Sequence, residues 1–121
     1  MLGHTGKVAG SANLALLGGK HRDSVLAYAN GWYRTGRTPE HFVEIAEKVV
    51  ALGFKAVKLD PFGTDKWFCW DEDLHVAYNI LNALRKRFGP ELRLLIDVHS
   101  RFAPSESLRI ARTLAPLNLF W

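Results

Sequence analysis

A chain of 121 residues, 48% of them hydrophobic and 23% charged, has the length of one domain and the composition of a soluble protein with an apolar core. The net charge of +4 comes from basic residues spread along the chain. Only Arg85-Lys86-Arg87 cluster, at a predicted helix end where cations complement the dipole, so no nucleic-acid partner is expected.

One cysteine, Cys69, excludes an internal disulfide and has no partner at zinc-site spacing, so it reads as a buried or half-buried thiol. The longest N-terminal apolar stretch, Leu14 to Leu17, is too short for a signal peptide or a membrane span. No membrane partner is expected, and a cytoplasmic location is the simplest inference.

Taken in order, residues 5 to 17 read as the tail of a helix that stops at Gly18-Gly19. Ser24 to Ala29 predicts a first strand, followed by a loop carrying Trp32, Tyr33, Arg34 and Arg37. Thr38 is a good N-cap, and Pro39 and Glu40 suit a first helical turn. Phe42, Ile45, Ala46, Val49 and Val50 then form one buried face, and Gly53 ends the helix. Phe54 to Asp60 reads as a second strand, stopped by Pro61-Phe62-Gly63. After a loop with Trp67, Phe68 and Trp70, Asp71-Glu72-Asp73 open a second helix with the charge its N-terminus favours. Its buried stripe is Leu74, Ala77, Ile80, Leu81 and Leu84, and Gly89-Pro90 stops it. Leu92 to His99 is a third strand. Pro104 to Leu114 is a third helix with Leu108, Ala111 and Leu114 inward, and Leu117 to Trp121 begins a fourth strand.

Alternating apolar strands and helices imply a parallel sheet, either a (β/α) barrel or a doubly wound sheet. No Gly-x-Gly-x-x-Gly or P-loop follows a strand, which removes support for the common nucleotide sites. In both architectures the active site lies at the carboxyl ends of the strands. Those ends carry Lys58 with Asp60 and Asp97 with His99, each pair two residues apart and so on one side of its strand. A lysine facing a barrel interior needs a partner or a task. The bland reading is an ion pair from Lys58 to Asp60 or Asp97, with a strand-end aspartate capping the next turn beside a structural histidine.

Ala56-Val57-Lys58-x-Asp60 and Ile96-Asp97-x-His99, with Leu16-Leu17-Gly18-Gly19, Arg22-Asp23 and Tyr28-Ala29 ahead of them, resemble the barrel domain of the enolase superfamily. The likeness is to the mandelate racemase/muconate lactonising enzyme group and, within it, to the acid-sugar dehydratases. The resemblance implies about the first three and a half βα units of a parallel TIM-type barrel. Residues 1–23 would be the tail of a linker helix with its entry turn, and residues 24–121 the N-terminal part of the barrel. It implies a magnesium-dependent enzyme that removes the proton α to a carboxylate and eliminates water to give a 2-keto-3-deoxy acid.

By position, Asp97 would be the first magnesium ligand and His99 the general acid that expels the β-hydroxyl as water. Lys58 would stabilise the substrate carboxylate or assist proton transfer. Asp60 departs from the pattern, since racemases and cycloisomerases carry a catalytic lysine there. That change favours dehydration of a gluconate, galactonate or mannonate, with Asp60 bonding a substrate hydroxyl or orienting Lys58. The alternatives are a racemase, epimerase or cycloisomerase of the same superfamily, or a non-catalytic half-barrel. The remaining metal ligands and the base would lie beyond Trp121, so the chain reads as a piece of a longer homo-oligomeric protein and is expected to be inactive alone. The aromatic loops, Trp32-Tyr33 and Trp67-Phe68-Trp70, would line a sugar-acid pocket or lid, or pack between barrel loops or at a subunit interface.

Overall fold

The computed structural model describes residues 13–33, 36–63 and 67–121. A short helix, α1 (Asn13–Leu16), precedes the turn at Gly18-Gly19; residues 5–12 of the expected helix lie outside the described residues. Helix α2 (Pro39–Ala51) starts where expected, with the Thr38 hydroxyl accepting from the His41 N–H at 3.3 Å. It leads through Gly53, at φ 95°, into strand β1 (Ala56–Leu59). Helix α3 (Asp71–Phe88) and strand β2 (Arg93–Ile96) follow, then helix α4 (Pro104–Leu114) and a 3-10 turn (Ala115–Leu117).

Strands β1 and β2 are parallel, with Ala56 opposite Arg93 and Leu59 opposite Ile96. Ala29 flanks β1: its N–H donates to Ala56 O (2.9 Å) and its carbonyl accepts from Lys58 N–H (2.8 Å). On the other side Phe120 N–H donates to Leu94 O (2.8 Å) and Ile96 N–H to Trp121 O (2.9 Å). Four extended segments therefore lie side by side in chain order. Val57, Leu59 and Leu94 form the face under the helices, sharing one core with Phe42, Ala46, Ala77, Ile80, Leu81 and Leu84. Lys58, on the opposite face, is only partly covered.

Four expectations need correction. The fourth segment does not begin at Leu117, which lies in the 3-10 turn, and its bonds to β2 come from Phe120 and Trp121. The first strand does not extend over Ser24 to Ala29; only Ala29 pairs, and Val25 and Leu26 are 79% and 84% exposed. Ala29 sits opposite Val57, and N-terminal to that bridge residues 25–27 and 52–55 line an open groove. The third strand ends at Ile96 and not at His99, which takes φ 52°. Helix α4 buries Ile110 and Leu114, while Leu108 is 51% exposed and Ala111 is also exposed. Burial of Ile110 and Leu114 fixes that rotation, and Arg109 is placed by it. The Arg109 guanidinium holds Asp71 (2.7 Å), Glu106 (2.9 Å) and the Cys69 carbonyl.

The Arg85-Lys86-Arg87 cluster does sit in the last turn of α3. Cys69 is buried, and burial pushes its thiol pKa up. Among the described residues no helix is long and apolar enough to cross a membrane.

Candidate active site

Continuing the strand register one step past Leu59 and Ile96 puts Asp60 beside Asp97, and the Asp97 N–H donates to Leu59 O at 3.1 Å. Both aspartates then do the same thing. Asp60 Oδ1 accepts from Phe62 N–H (3.0 Å) and Asp97 Oδ1 accepts from His99 N–H (3.0 Å). Each carboxylate thus closes a turn that carries the chain out of the sheet. The turn-capping part of the bland reading is present, and it leaves one oxygen of each aspartate for other work.

Those oxygens are paired crosswise. Lys58, from β1, donates to Asp97 Oδ2 at 3.0 Å. Arg101, from beyond β2, donates to Asp60 Oδ2 at 2.5 Å. The Lys58–Asp97 ion pair is the partnership the lysine requires; Asp60 faces His99 and Arg101 and is not the residue that orients Lys58. His99 Nδ1 lies 3.2 Å from Asp60 Oδ2, and its Nε2 lies 4.0 Å from Asp97 Oδ2. The two residues meet through the turn, not through strand alternation. His99 is the most open member, with 60% of its side chain exposed, against 34% for Asp97, 16% for Lys58 and 12% for Asp60.

The hydrogen bond from His99 N–H, with help from Lys58, holds the Asp97 carboxyl below the usual carboxylate range. The hydrogen bond to Asp97 raises the Lys58 ammonium above its ordinary value. Asp97 therefore stands as a carboxylate with hard oxygen donors, the donor chemistry magnesium prefers. Among the described residues no group of three His, Cys, Asp or Glu is placed to hold a metal ion, so these residues fit one ligand of such a site.

Two further contacts stiffen the platform. Trp32 Nε1 donates to Lys58 O (2.9 Å) and Asp60 N–H donates to the Tyr33 hydroxyl (2.9 Å). Both rings also pack on Phe42, with centroids 5.8 and 5.6 Å away. These aromatics support the strand ends from behind. Trp67, Phe68 and Trp70 are exposed. Arg34, in the other aromatic loop, lies outside the described residues. Sequence reasoning missed Arg101, since an arginine just after a strand-end turn has no mark that separates it from a solvated one. A groove of about 520 Å³ is lined by Tyr28, Phe54, Arg93, Leu95, Phe120 and Trp121 among others, and Lys58, Asp60, Asp97 and His99 are not in its lining.

Comparison with known proteins gives consistent results. The model of the enolase C-terminal domain-like family matches residues 41–121. The D-gluconate dehydratase of Thermoproteus tenax is 41% identical over 106 residues, which are 88% of this chain and 21% of that protein. The D-gluconate/D-galactonate dehydratase of Picrophilus torridus is 33% identical over 113 residues, 93% of this chain and 29% of that protein. Among solved structures, a mandelate racemase/muconate lactonizing enzyme from Jannaschia sp. CCS1 superposes with a TM-score of 0.81 at 30% identity, covering 90% of this chain and 31% of that one. The chain spans less than a third of each of these relatives.

Proposed function

This chain belongs to the enolase C-terminal domain-like family, and we propose that it carries part of the catalytic barrel of a magnesium-dependent acid-sugar dehydratase. In this reading residues 24–121 are the first three and a half βα units of a TIM-type barrel, and residues 1–23 lead into it. The observation that carries the proposal is the meeting of Lys58, Asp97 and His99 at the carboxyl ends of adjacent parallel strands. That is where βα barrels place their chemistry. The names of the relatives add the substrate class, a sugar acid such as gluconate or galactonate.

Each residue has a task its geometry suits. Asp97 would hold magnesium through its carboxylate. When bound, the ion supplies the positive charge that makes a proton α to a carboxylate removable. Lys58, already on the Asp97 carboxylate, adds a second positive charge near the substrate carboxylate. His99 presents an exposed ring and would give its Nε2 proton to the β-hydroxyl. The C–O bond breaks with the electron pair leaving on water, and the enol that remains becomes a 2-keto-3-deoxy acid. The base for the α proton is not assigned among the described residues. The active protein is proposed to be a homo-oligomer.

The test is incubation of the polypeptide carrying this segment with D-gluconate, D-galactonate and D-mannonate in magnesium, assaying for a 2-keto acid. We expect turnover of at least one, abolished by Asp97→Ala and His99→Ala. Absence of keto acid from all three with folded protein, or turnover indifferent to both substitutions, refutes the reading.

A further inference from the structure

We propose that Arg101 is a positioning residue that pins Asp60, so that Asp60 holds the Nδ1–H of His99 and fixes the ring with Nε2 clear of Asp60. The catalytic part of this role rests on the dehydratase reading; the orientation of the ring does not.

Arg101 is engaged at all three of its nitrogens. Nη2 donates to Asp60 Oδ2 (2.5 Å), Nε to Val98 O (3.0 Å) and Nη1 to Gly63 O. It therefore ties the loop after β1 to the loop after β2. Phe62 and Phe102, in edge contact at 5.2 Å, close the same gap, and the guanidinium lies over the Phe102 ring at 5.6 Å. Only 14% of the Arg101 side chain is exposed, so it is turned inward and offers no fork to a substrate. Its effect passes through Asp60.

Asp60 Oδ1 is committed to Phe62 N–H, so Oδ2 is the oxygen that reaches His99 Nδ1 at 3.2 Å. A carboxylate only accepts, so Nδ1 must carry the hydrogen. Without the guanidinium, Asp60 Oδ2 loses its anchor and the two loops lose their tie. The ring is then released to the Nε2–H tautomer that free imidazole prefers.

The experiment is nitrogen-15 NMR of the histidine side chains in the full chain, with the neutral ring of His99 assigned through His99→Gln. Wild type is expected to show mainly Nδ1–H. Arg101→Gln and Asp60→Ala are each expected to shift the population toward Nε2–H. A wild-type ring that is mainly Nε2–H overturns the proposal without any variant, as does an unmoved tautomer in a folded Arg101→Gln. With a turned-over sugar acid, Arg101→Gln should lower kcat by on the order of 10- to 100-fold, with KM changed less than about threefold. A loss confined to KM overturns it. If the tautomer moves but no sugar acid is turned over, the dehydratase reading falls and the orienting role of Arg101 stands. If turnover is present and indifferent to Arg101→Gln, the dehydratase reading stands and the catalytic part of the Arg101 role falls.

Discussion

Arg85→Met is the substitution whose cost the structure defines best. The Arg85 guanidinium donates to four carbonyls: Gly89 (2.7 Å), Leu92 (2.8 Å), Leu117 (2.9 Å) and Asn118 (2.8 Å). It thus joins the end of α3 to the start of β2 and to the segment that runs beside β2. Charge-assisted hydrogen bonds contribute about 1.5–3 kcal/mol each when measured singly. Four of them do not add, because one cation is shared and neighbouring contacts are coupled. Burial also opposes the charge, and pulls the Arg85 pKa below its ordinary value. A net loss of about 3 kcal/mol is expected, larger than one neutral hydrogen bond and well short of the sum. With a urea m value of about 1–2 kcal/mol per molar, the unfolding midpoint falls by roughly 2 M. Lys86→Met, at an exposed neighbour, should stay within about 0.5 kcal/mol of wild type. The Phe120 and Ile96 amides should also exchange faster in Arg85→Met, because their partners lie across the joint that Arg85 holds. Equal midpoints for the two variants would refute the clamp.

Leu114→Ala should cost about 2–5 kcal/mol and Leu108→Ala less than about 1 kcal/mol, since only Leu114 is buried; the opposite order in urea unfolding would restore the 108/111/114 face. Cys69 is 1% exposed with its thiol pKa raised by burial, so iodoacetamide should label native protein on the order of 100-fold more slowly than unfolded protein. Fast native labelling would show that the thiol is open. Asp97 has a lowered folded pKa, so its contribution to stability is present above the ordinary carboxylate range and is lost as pH falls through the lowered value. The stability gap between wild type and Asp97→Asn should therefore be full at neutral pH and close on acidification. Lys58, shifted upward, keeps its contribution at neutral pH and loses it only as pH rises through its raised value. A gap that widens in acid would contradict the pairing.

What could be read from the sequence was what local chemistry decides. The five apolar residues of the α3 stripe, Leu74, Ala77, Ile80, Leu81 and Leu84, are all buried, because a helix period and a single inward face leave no choice. Thr38 and Pro39 start α2 for reasons contained in four residues. What escaped was set by distant partners. On α4 the buried pair is Ile110 and Leu114, with Arg109, next to Ile110 in the chain, reaching Asp71 and Cys69, 38 and 40 residues away. The end of β2 was set by Asp97 accepting from its own turn, which strand alternation does not anticipate. Lys58, Asp60, Asp97 and His99 were legible as a group because polar side chains at apolar strand ends stand out. Which cation serves which carboxylate was not, since Arg101 looks ordinary until the two loops are folded against each other.

The crossed pairing has a consequence for where chemistry can occur. Two carboxylates on adjacent strands at the same level repel, and each is neutralised by a cation whose strand or loop belongs to the other. Cutting either pair would leave a charge uncompensated and also part the loops that the pair joins. Oδ1 of each aspartate is held by a turn and Oδ2 of each by a cation, Lys58 on Asp97 and Arg101 on Asp60. His99 stands between them, 3.2 Å from one and 4.0 Å from the other. Lys58, Asp60 and Arg101 are each less than a fifth exposed, whereas the His99 ring is 60% exposed. A substrate arriving from solvent would meet the imidazole first, against a frame whose charges are already balanced. In the proposed reaction the proton would therefore move at His99, with the surrounding residues holding the ring in place.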